Sequence, residues 1–294
     1  METGNIHPSI RRPAATSTFS DAVVSRLREF VRVDGQLVRV SVRGEGSPLL
    51  LIMGLGGNIE MWEPLERELN ARSVQTIAYD AAGTGESPTR LVPQRMPGLA
   101  RQAAHILDAL GHPDAGVLGV SFGGAVAQEL TLANPRRVRR LVLASTTCGV
   151  GGVPGNPLAL SLLATPLRYF SPTFLRLTAK MLYGPTTGEN GDLLREQIDA
   201  RRARPPKLWG YIGQLAAAAG WTSLPWLHRI RTPTLVLTGG ADPIVPPVNG
   251  RILTARIPGA ELHVVPSAGH LLLMDRAEEC AATIAEFLES RVAL

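Results

Sequence analysis

The chain has 294 residues, of which 45% are hydrophobic and 19% are charged. A chain of this length and composition buries a large core, which excludes a disordered protein. The formal net charge is +5 at pH 7, but the arginines are spread along the chain, which argues against nucleic-acid binding. The densest basic group, residues 136–140, is predicted to be a solvated loop between a helix and a strand.

The cysteine content and the N-terminal region indicate the cellular compartment. Cys148 and Cys280 are far apart and fit no metal-ligand or redox spacing, so neither a disulfide scaffold nor a metal centre is predicted. Residues 1–26 are too polar for a signal peptide and are predicted to form a flexible extension. No stretch reaches the roughly 18 apolar residues that a membrane-spanning helix needs. We therefore expect a cytoplasmic protein with no transmembrane segment.

Strand and helix patterns alternate along most of the chain. Residues 30–33 and 37–43 predict a β-hairpin across Asp34-Gly35. Short apolar runs predict further strands at residues 49–53, 75–79, 115–120, 141–144, 234–238 and 262–265. Apolar positions at a spacing of about 3.6 residues predict helices near residues 61–71, 98–110, 122–133, 247–256 and 275–290. This alternation is typical of an α/β fold, in which helices flank a mostly parallel central sheet.

The alternation stops between residues 149 and 230. A stretch rich in Gly and Pro at residues 149–157 is followed by a helix-rich segment that contains three of the four tryptophans. We interpret residues 149–230 as a helical cap inserted into one core domain, which comprises residues 27–148 and 231–294.

The strongest chemical signal is the sequence Gly-Val-Ser-Phe-Gly-Gly at residues 119–124. A strand is predicted directly before it and a helix directly after it. A Gly-x-Ser-x-Gly pattern in that context is a nucleophile elbow, in which glycines permit a tight turn that raises the serine above the sheet. Ser121 is therefore the predicted nucleophile, at a helix N-terminus that favours developing negative charge.

A serine hydroxyl needs a general base, and later loops supply one. Asp242 follows the predicted strand at residues 234–238, and His270 follows the one at residues 262–265. The order Ser, Asp, His is the order in which this kind of fold provides its three groups. We predict that His270 takes the serine proton and that Asp242 orients the imidazole and stabilises its charged form.

The predicted site also needs donors for a tetrahedral oxyanion. The candidates are the backbone N–H groups of Phe122, which follows the nucleophile, and of Leu55, in the glycine-rich loop at residues 54–58. That loop lacks the later glycine and the ribose-binding acid of a dinucleotide fingerprint, and the sequence contains no metal-ligand cluster. No cofactor is predicted.

These motifs resemble the α/β-hydrolase superfamily, and within it the intracellular depolymerases of medium-chain-length poly(3-hydroxyalkanoate). The resemblance extends over residues 30–289 and is most specific in the tryptophan-rich segment at residues 221–228. It implies hydrolysis of ester bonds in a hydrophobic polyester, at or near the surface of storage granules. The predicted substrate-binding residues are Gly56, Trp221, Trp226 and His228.

Two departures from the resemblance leave the substrate open. Phe122 stands where we expect tryptophan, and Gly57 stands where alanine is commoner. Alternative hypotheses are a general esterase or lipase, a carbon–carbon bond hydrolase, a perhydrolase, a non-catalytic ligand-binding protein of this fold, or a granule-coating protein. Dehalogenase and epoxide-hydrolase chemistry is disfavoured because those relatives carry Asp at the position of Ser121.

Overall fold

The computed structural model describes residues 27–290, so the predicted N-terminal extension at residues 1–26 lies outside the described residues. Within the range 27–290 the chain forms one sheet of eight strands, and every predicted strand is observed. The strands are β1 (Leu27–Val33), β2 (Gln36–Arg43), β3 (Ser47–Ile52), β4 (Val74–Tyr79), β5 (Ala115–Val120), β6 (Val138–Ala144), β7 (Thr234–Gly239) and β8 (Glu261–Val265).

Helices connect these strands. They are α1 (Glu63–Asn70), α2 (Met96–Ala109), α3 (Phe122–Ala133), α4 (Pro157–Leu163), α5 (Leu167–Phe170), α6 (Pro172–Tyr183), α7 (Pro185–Glu189), α8 (Gly191–Ala203), α9 (Leu208–Ala218), α10 (Val248–Arg256), α11 (Leu272–Asp275) and α12 (Ala277–Glu289). Helices α4–α9 and the 3-10 helix Leu224–Arg229 lie between β6 and β7, and residues 149–230 are called the cap below. None of the helices in the described range is long and apolar enough to cross a membrane.

The sheet is mostly parallel, which confirms the predicted α/β fold. Its strand order is β1-β2-β4-β3-β5-β6-β7-β8. β2 runs antiparallel to both β1 and β4, and the other neighbouring strands are parallel. β5 and β7 are buried along their whole length, because their small and apolar side chains are covered on both faces. The loops after the parallel strands meet at the carboxyl edge of the sheet, where such folds bind ligands.

Helices cover both faces of this sheet. On one face, α2, α3 and α10 pack against the strands through Leu107, Val126 and Leu253. On the other face, α1 and α12 contribute Leu65 and Ile284 to a second apolar cluster. Helices α1, α2 and α12 bury one apolar side each, as their sequence periodicity predicts.

The basic group at residues 136–140 is not a loop throughout, so that prediction was partly wrong. A 3-10 turn covers Pro135–Arg137, and β6 already starts at Val138. Arg139 and Arg140 therefore lie in the strand, where Arg140 pairs with Gly116 of β5. Pairing with the neighbouring strand extends β6 beyond its apolar stretch, because backbone hydrogen bonds do not depend on side-chain polarity.

The cap is attached to the loop that follows β3. Its helices share an apolar cluster with Met61 and Met274 from outside the cap. The Asn58 side-chain amide donates to the carbonyls of Ala200 and Arg204 at 3.0 and 2.9 Å. The Arg204 guanidinium also pairs with Glu60 at 2.7 Å. These contacts hold the cap above the carboxyl edge of the sheet.

Candidate active site

Ser121 occupies a sharp turn between β5 and α3. Its backbone has φ +54° and ψ −119°, which non-glycine residues rarely adopt. The turn is possible because Gly119 and Gly123 have no side chain: a Cβ at Gly123 would lie 2.0 Å from the carbonyl oxygen of Ile52. The turn places the serine hydroxyl at the carboxyl edge, directly before the first residue of a helix.

The structure brings the three predicted residues together. His270 Nε2 lies 3.0 Å from Ser121 Oγ, and His270 Nδ1 lies 2.8 Å from Asp242 Oδ2. Asp242 and His270 are both buried. The other carboxylate oxygen of Asp242 accepts the N–H groups of Ile244 and Val245, each at 2.9 Å. The carboxylate is therefore held on both sides, and the imidazole can bridge it to the serine hydroxyl.

Two backbone N–H groups are available beside the serine. Within residues 27–290, neither Phe122 N–H, the first of α3, nor Leu55 N–H has a protein acceptor. The Leu55 carbonyl points to the cap, where it accepts Arg168 Nη2 at 2.9 Å and the Tyr169 hydroxyl at 2.6 Å. These two bonds fix the orientation of the loop after β3, and both predicted oxyanion donors border the Ser121 cavities.

Two cavities meet at Ser121. The smaller has a volume of about 50 Å³ and is lined by His270, Arg168, Arg201 and other side chains. The larger has a volume of about 600 Å³ and a mainly apolar lining, which comprises Leu55, Met96, Ser121, Phe122, Ala125, Thr146, Thr147, Gly149, Val150, Gly152, Val153, Pro154, Gly155, Leu160, Leu163, Leu215, Ala218, Trp221, Ile244, Val245 and Asn249. Both cavities thus have largely apolar walls at the serine hydroxyl, and the smaller one also contains charged and phenolic side chains.

The predicted substrate-binding residues fall into two groups. Trp221 lines the larger cavity, and its indole N–H donates to Glu129 at 3.1 Å. Trp226 and His228 do not line either cavity, so that part of the prediction is corrected. The 3-10 helix around them buries Leu227, which turns its two neighbours towards solvent. The exposed Trp226 ring packs against an arginine on the surface.

Gly56 also lines neither cavity. Its N–H donates to Gln214 Oε1 at 2.7 Å, and its φ is +73°. A Cβ at this position would lie 2.7 Å from the Tyr211 ring and 2.9 Å from the Tyr169 ring. The glycine therefore allows the cap to approach the loop, and its predicted substrate contact is replaced by a packing role.

Sequence reasoning missed the polar lining of the smaller cavity. Arg168 and Arg201 face it from the cap, as do Tyr169 and Tyr183. Nothing in the sequence pattern distinguishes these arginines from the exposed ones beside them. Within residues 27–290, no group of three or more His, Cys, Asp or Glu side chains is arranged to hold a metal ion.

Asp80 braces the segments next to this site. One of its oxygens accepts the Ile59 N–H at 2.9 Å, and the other accepts the Glu86 N–H at 2.9 Å and Arg39 Nη1 at 3.0 Å. Burial raises the pKa of Asp80 above its ordinary value, although these donors act in the opposite direction. The carboxylate links strand β2, the 3-10 helix that begins at Ile59 and the loop at Glu86, and it lines neither Ser121 cavity.

Comparison with known proteins identifies the family. A family profile described as alpha/beta hydrolase fold matches residues 47–277. The chain belongs to the α/β-hydrolase fold family, and it is a hydrolase. A solved structure, that of a hydrolase from Pseudomonas aeruginosa, superposes with a TM-score of 0.75 at 27% identity, and the match covers 89% of this chain and 98% of that one.

Two curated relatives show the range of chemistry among similar proteins. The chain is 41% identical over 262 residues to a poly(3-hydroxyalkanoate) depolymerase from Ectopseudomonas oleovorans, which covers 88% of this chain and 91% of that protein. It is 28% identical to a 2-hydroxy-6-oxononadienedioate/2-hydroxy-6-oxononatrienedioate hydrolase from Paraburkholderia xenovorans, over 93% of this chain and 99% of that one. The first match agrees with the resemblance that the motifs indicated.

Proposed function

We propose that this chain is a serine hydrolase that cleaves carboxylic ester bonds through an acyl-enzyme. The observation that supports this most is the hydrogen-bonded line from Ser121 through His270 to Asp242. Ser121 is the nucleophile, His270 is the general base and later the general acid, and Asp242 keeps the imidazole protonated at Nδ1.

The geometry supports a two-step reaction. Ser121 Oγ attacks the ester carbonyl carbon while His270 Nε2 accepts the hydroxyl proton, and the carbonyl oxygen becomes an oxyanion. The N–H groups of Phe122 and Leu55 donate to this oxyanion. His270 then gives the proton to the departing oxygen, so the C–O bond breaks and the alcohol leaves. A water molecule, deprotonated by the same imidazole, hydrolyses the acyl-enzyme and restores the serine.

The substrate that we propose is a poly(3-hydroxyalkanoate) with medium-length side chains. The relative from Ectopseudomonas oleovorans, a depolymerase of this polymer class, supports this substrate. The larger cavity supports it as well, since its lining suits alkyl chains. Each methylene group buried there stabilises the complex by about 0.8 kcal/mol.

A polyester of this kind is a particle, so the protein must dock on an apolar surface. Most of the exposed large apolar side chains of residues 27–290 belong to the cap, among them Phe170, Leu177 and Met181. Leu177 and Met181 are four residues apart on α6 and share one face of that helix. We propose that this face contacts the surface of the storage granule, because apolar patches of this kind mark interaction sites.

Active-site labelling tests the nucleophile. A fluorophosphonate probe should add one equivalent to the wild-type chain, as measured by intact mass. Ser121→Ala should abolish the addition, and Ser161→Ala, at an exposed serine of the cap, should leave it unchanged. Labelling that persists in Ser121→Ala, or no labelling of the wild type, would remove the basis of the proposal.

Substrate turnover tests the ester and polymer assignment. Among p-nitrophenyl esters, kcat/KM should rise with acyl length from acetate to octanoate, and suspended poly(3-hydroxyoctanoate) should be cleaved. A ring-fission dienedioate serves as the comparison substrate. Turnover of that compound without turnover of esters would favour carbon–carbon bond hydrolysis instead.

A further inference from the structure

The smaller cavity contains two buried guanidinium groups that lack carboxylate partners. Arg168 of α5 and Arg201 of α8 line it, and they are 4% and 2% exposed. No carboxylate of residues 30–290 lies within 4.0 Å of either group. Taking an unpaired charge out of water is costly, so a cavity with two such charges favours a ligand of negative charge.

The two arginines differ in how their donors are used. Arg168 Nη1 donates to the Tyr211 hydroxyl at 2.5 Å and to the Leu163 carbonyl at 3.3 Å, and Nη2 donates to the Leu55 carbonyl. Arg201 donates through Nη1 to the Gln197 carbonyl at 3.0 Å and to Gln197 Oε1 at 2.5 Å, and its buried Nε has no partner. The buried hydroxyl of Tyr183 has no partner either. Arg201 and Tyr183 both line the smaller cavity, and each keeps a buried donor atom without a protein partner.

Neighbouring groups do not remove this positive charge. Burial raises the pKa of Tyr169 and raises the pKa of Tyr211 to about 12, so both phenols are neutral at neutral pH. Asp275 acts on Arg201 electrostatically, but it lies beyond ion-pair distance and accepts a hydrogen bond from Thr187 instead. Both guanidinium groups stack on tyrosine rings, but neither forms an ion pair within residues 30–290, so the cavity keeps positive charge next to the serine.

We propose that Arg201 and Tyr183 bind the free carboxylate at the end of a hydroxyalkanoate chain, with Arg168 adding positive charge. This proposal rests on the proposed ester hydrolysis and specifies which bond is cleaved. In such a chain one CH group and one methylene separate the last ester oxygen from the terminal carboxylate. A volume of about 50 Å³ holds a few water molecules, and so a carboxylate with its methylene group.

The position of the imidazole decides the direction in which the chain binds. His270 lines the smaller cavity and is absent from the lining of the larger one. Because His270 protonates the leaving alcohol, the leaving group lies on the side of the smaller cavity. The alcohol released from the last ester bond carries the free carboxylate. The arginine side thus receives the terminal carboxylate, the apolar cavity receives the acyl unit, and cleavage removes units from the carboxyl end.

The test compares the hydrolysis of one ester with and without a negatively charged terminal carboxylate. The substrates are the dimer of (R)-3-hydroxyoctanoate as the free acid and the same dimer as its methyl ester. Wild type should prefer the free acid in kcat/KM by tenfold or more, as charge-assisted hydrogen bonds predict. Arg201→Gln should reduce this ratio about tenfold and Tyr183→Phe about threefold to tenfold. Arg202→Gln, at the exposed neighbouring position, is the matched control and should keep the ratio.

Two further measurements make the outcome decisive. If Arg201→Gln does not fold, Tyr183→Phe decides, because its hydroxyl has no partner in the fold. Calorimetry should show that the Ser121→Ala variant binds (R)-3-hydroxyoctanoate. Adding Tyr183→Phe to that variant should weaken the binding. Hydrolysis of both dimers at equal rates, or a ratio that both variants leave unchanged, overturns the carboxylate assignment alone. No hydrolysis of either dimer and no fluorophosphonate labelling overturn the proposed function itself.

Discussion

At the scale of the single residue, Ser121 shows how the site depends on strain. A non-glycine residue with this backbone conformation costs on the order of 1–3 kcal/mol. The surroundings hold it there: Ser121 N–H donates to Ala144 at 2.9 Å, and Thr146 Oγ1 donates to the Ser121 carbonyl at 2.7 Å. The fold therefore gives up stability so that the hydroxyl points towards His270.

This strain predicts different stabilities for two inactive variants. Ser121→Gly relieves the positive φ, whereas Ser121→Ala keeps it, and both remove the hydroxyl. After the entropic cost of glycine, we expect Ser121→Gly to be more stable by about 1 kcal/mol. Thermal unfolding should show a Tm about 2–4 °C higher for the glycine variant. Equal Tm values would mean that the turn is unstrained.

Asp242→Asn should separate the role of the carboxylate from its packing. The amide oxygen can still accept the N–H groups of Ile244 and Val245, so the loop should fold as before. The amide nitrogen would then face His270 Nδ1 and force the proton onto Nε2, where it blocks the serine. In triads of this type the change lowers kcat by about 10⁴. A fall of less than tenfold on p-nitrophenyl octanoate, with unchanged thermal unfolding, would contradict the assignment.

At the scale of the element, the short helix α11 ends in a buried carboxyl group with incomplete hydrogen bonding. Asp275 ends this helix, its Oδ2 accepts the Thr187 hydroxyl, and its buried Oδ1 has no partner. Burial raises the pKa of Asp275 to about 6 from an ordinary value of 3.8. The folded chain therefore holds a proton that the unfolded chain has already released between these pH values.

This proton links stability to pH in a defined direction. Because the folded state binds more protons between about pH 4 and pH 6, the contribution of Asp275 to the free energy of unfolding falls as pH rises through that window. Relative to Asp275→Asn, the wild type should lose about 1–3 kcal/mol from pH 4 to pH 7. Urea unfolding of both proteins at several pH values measures the difference, which would stay constant if the carboxyl group titrated normally.

The elements show which features sequence patterns can predict. The glycines around Ser121, and the strands before Asp242 and His270, are local signals, so the strands and the meeting of these loops could be predicted. The outward orientation of Trp226 and His228 could not be predicted from the sequence, because the burial of Leu227 in a short 3-10 helix determines it. The same limit explains the missed arginines of the smaller cavity. Which face of a cap helix turns inward depends on contacts with distant loops.

At the scale of the whole molecule, the cap separates two environments. Its inner side closes the two cavities above Ser121, and its outer side exposes apolar side chains on α5 and α6. This arrangement joins the proposed docking face to the proposed ester hydrolysis, because one inserted segment serves both.

The docking face gives a prediction that separates particles from dissolved substrates. Leu177→Ser combined with Met181→Ser removes apolar surface at positions that are 81% and 37% exposed, so the fold should tolerate the change. At about 25 cal/mol per Å² of lost contact, adsorption to poly(3-hydroxyoctanoate) particles should weaken about tenfold or more. The ratio of particle turnover to p-nitrophenyl octanoate turnover should fall by a similar factor. Leu37→Ser, at an exposed leucine of β2, is the matched control and should leave the ratio as in the wild type. If both variants behave alike in sedimentation and turnover assays, then the particle binds elsewhere on the molecule.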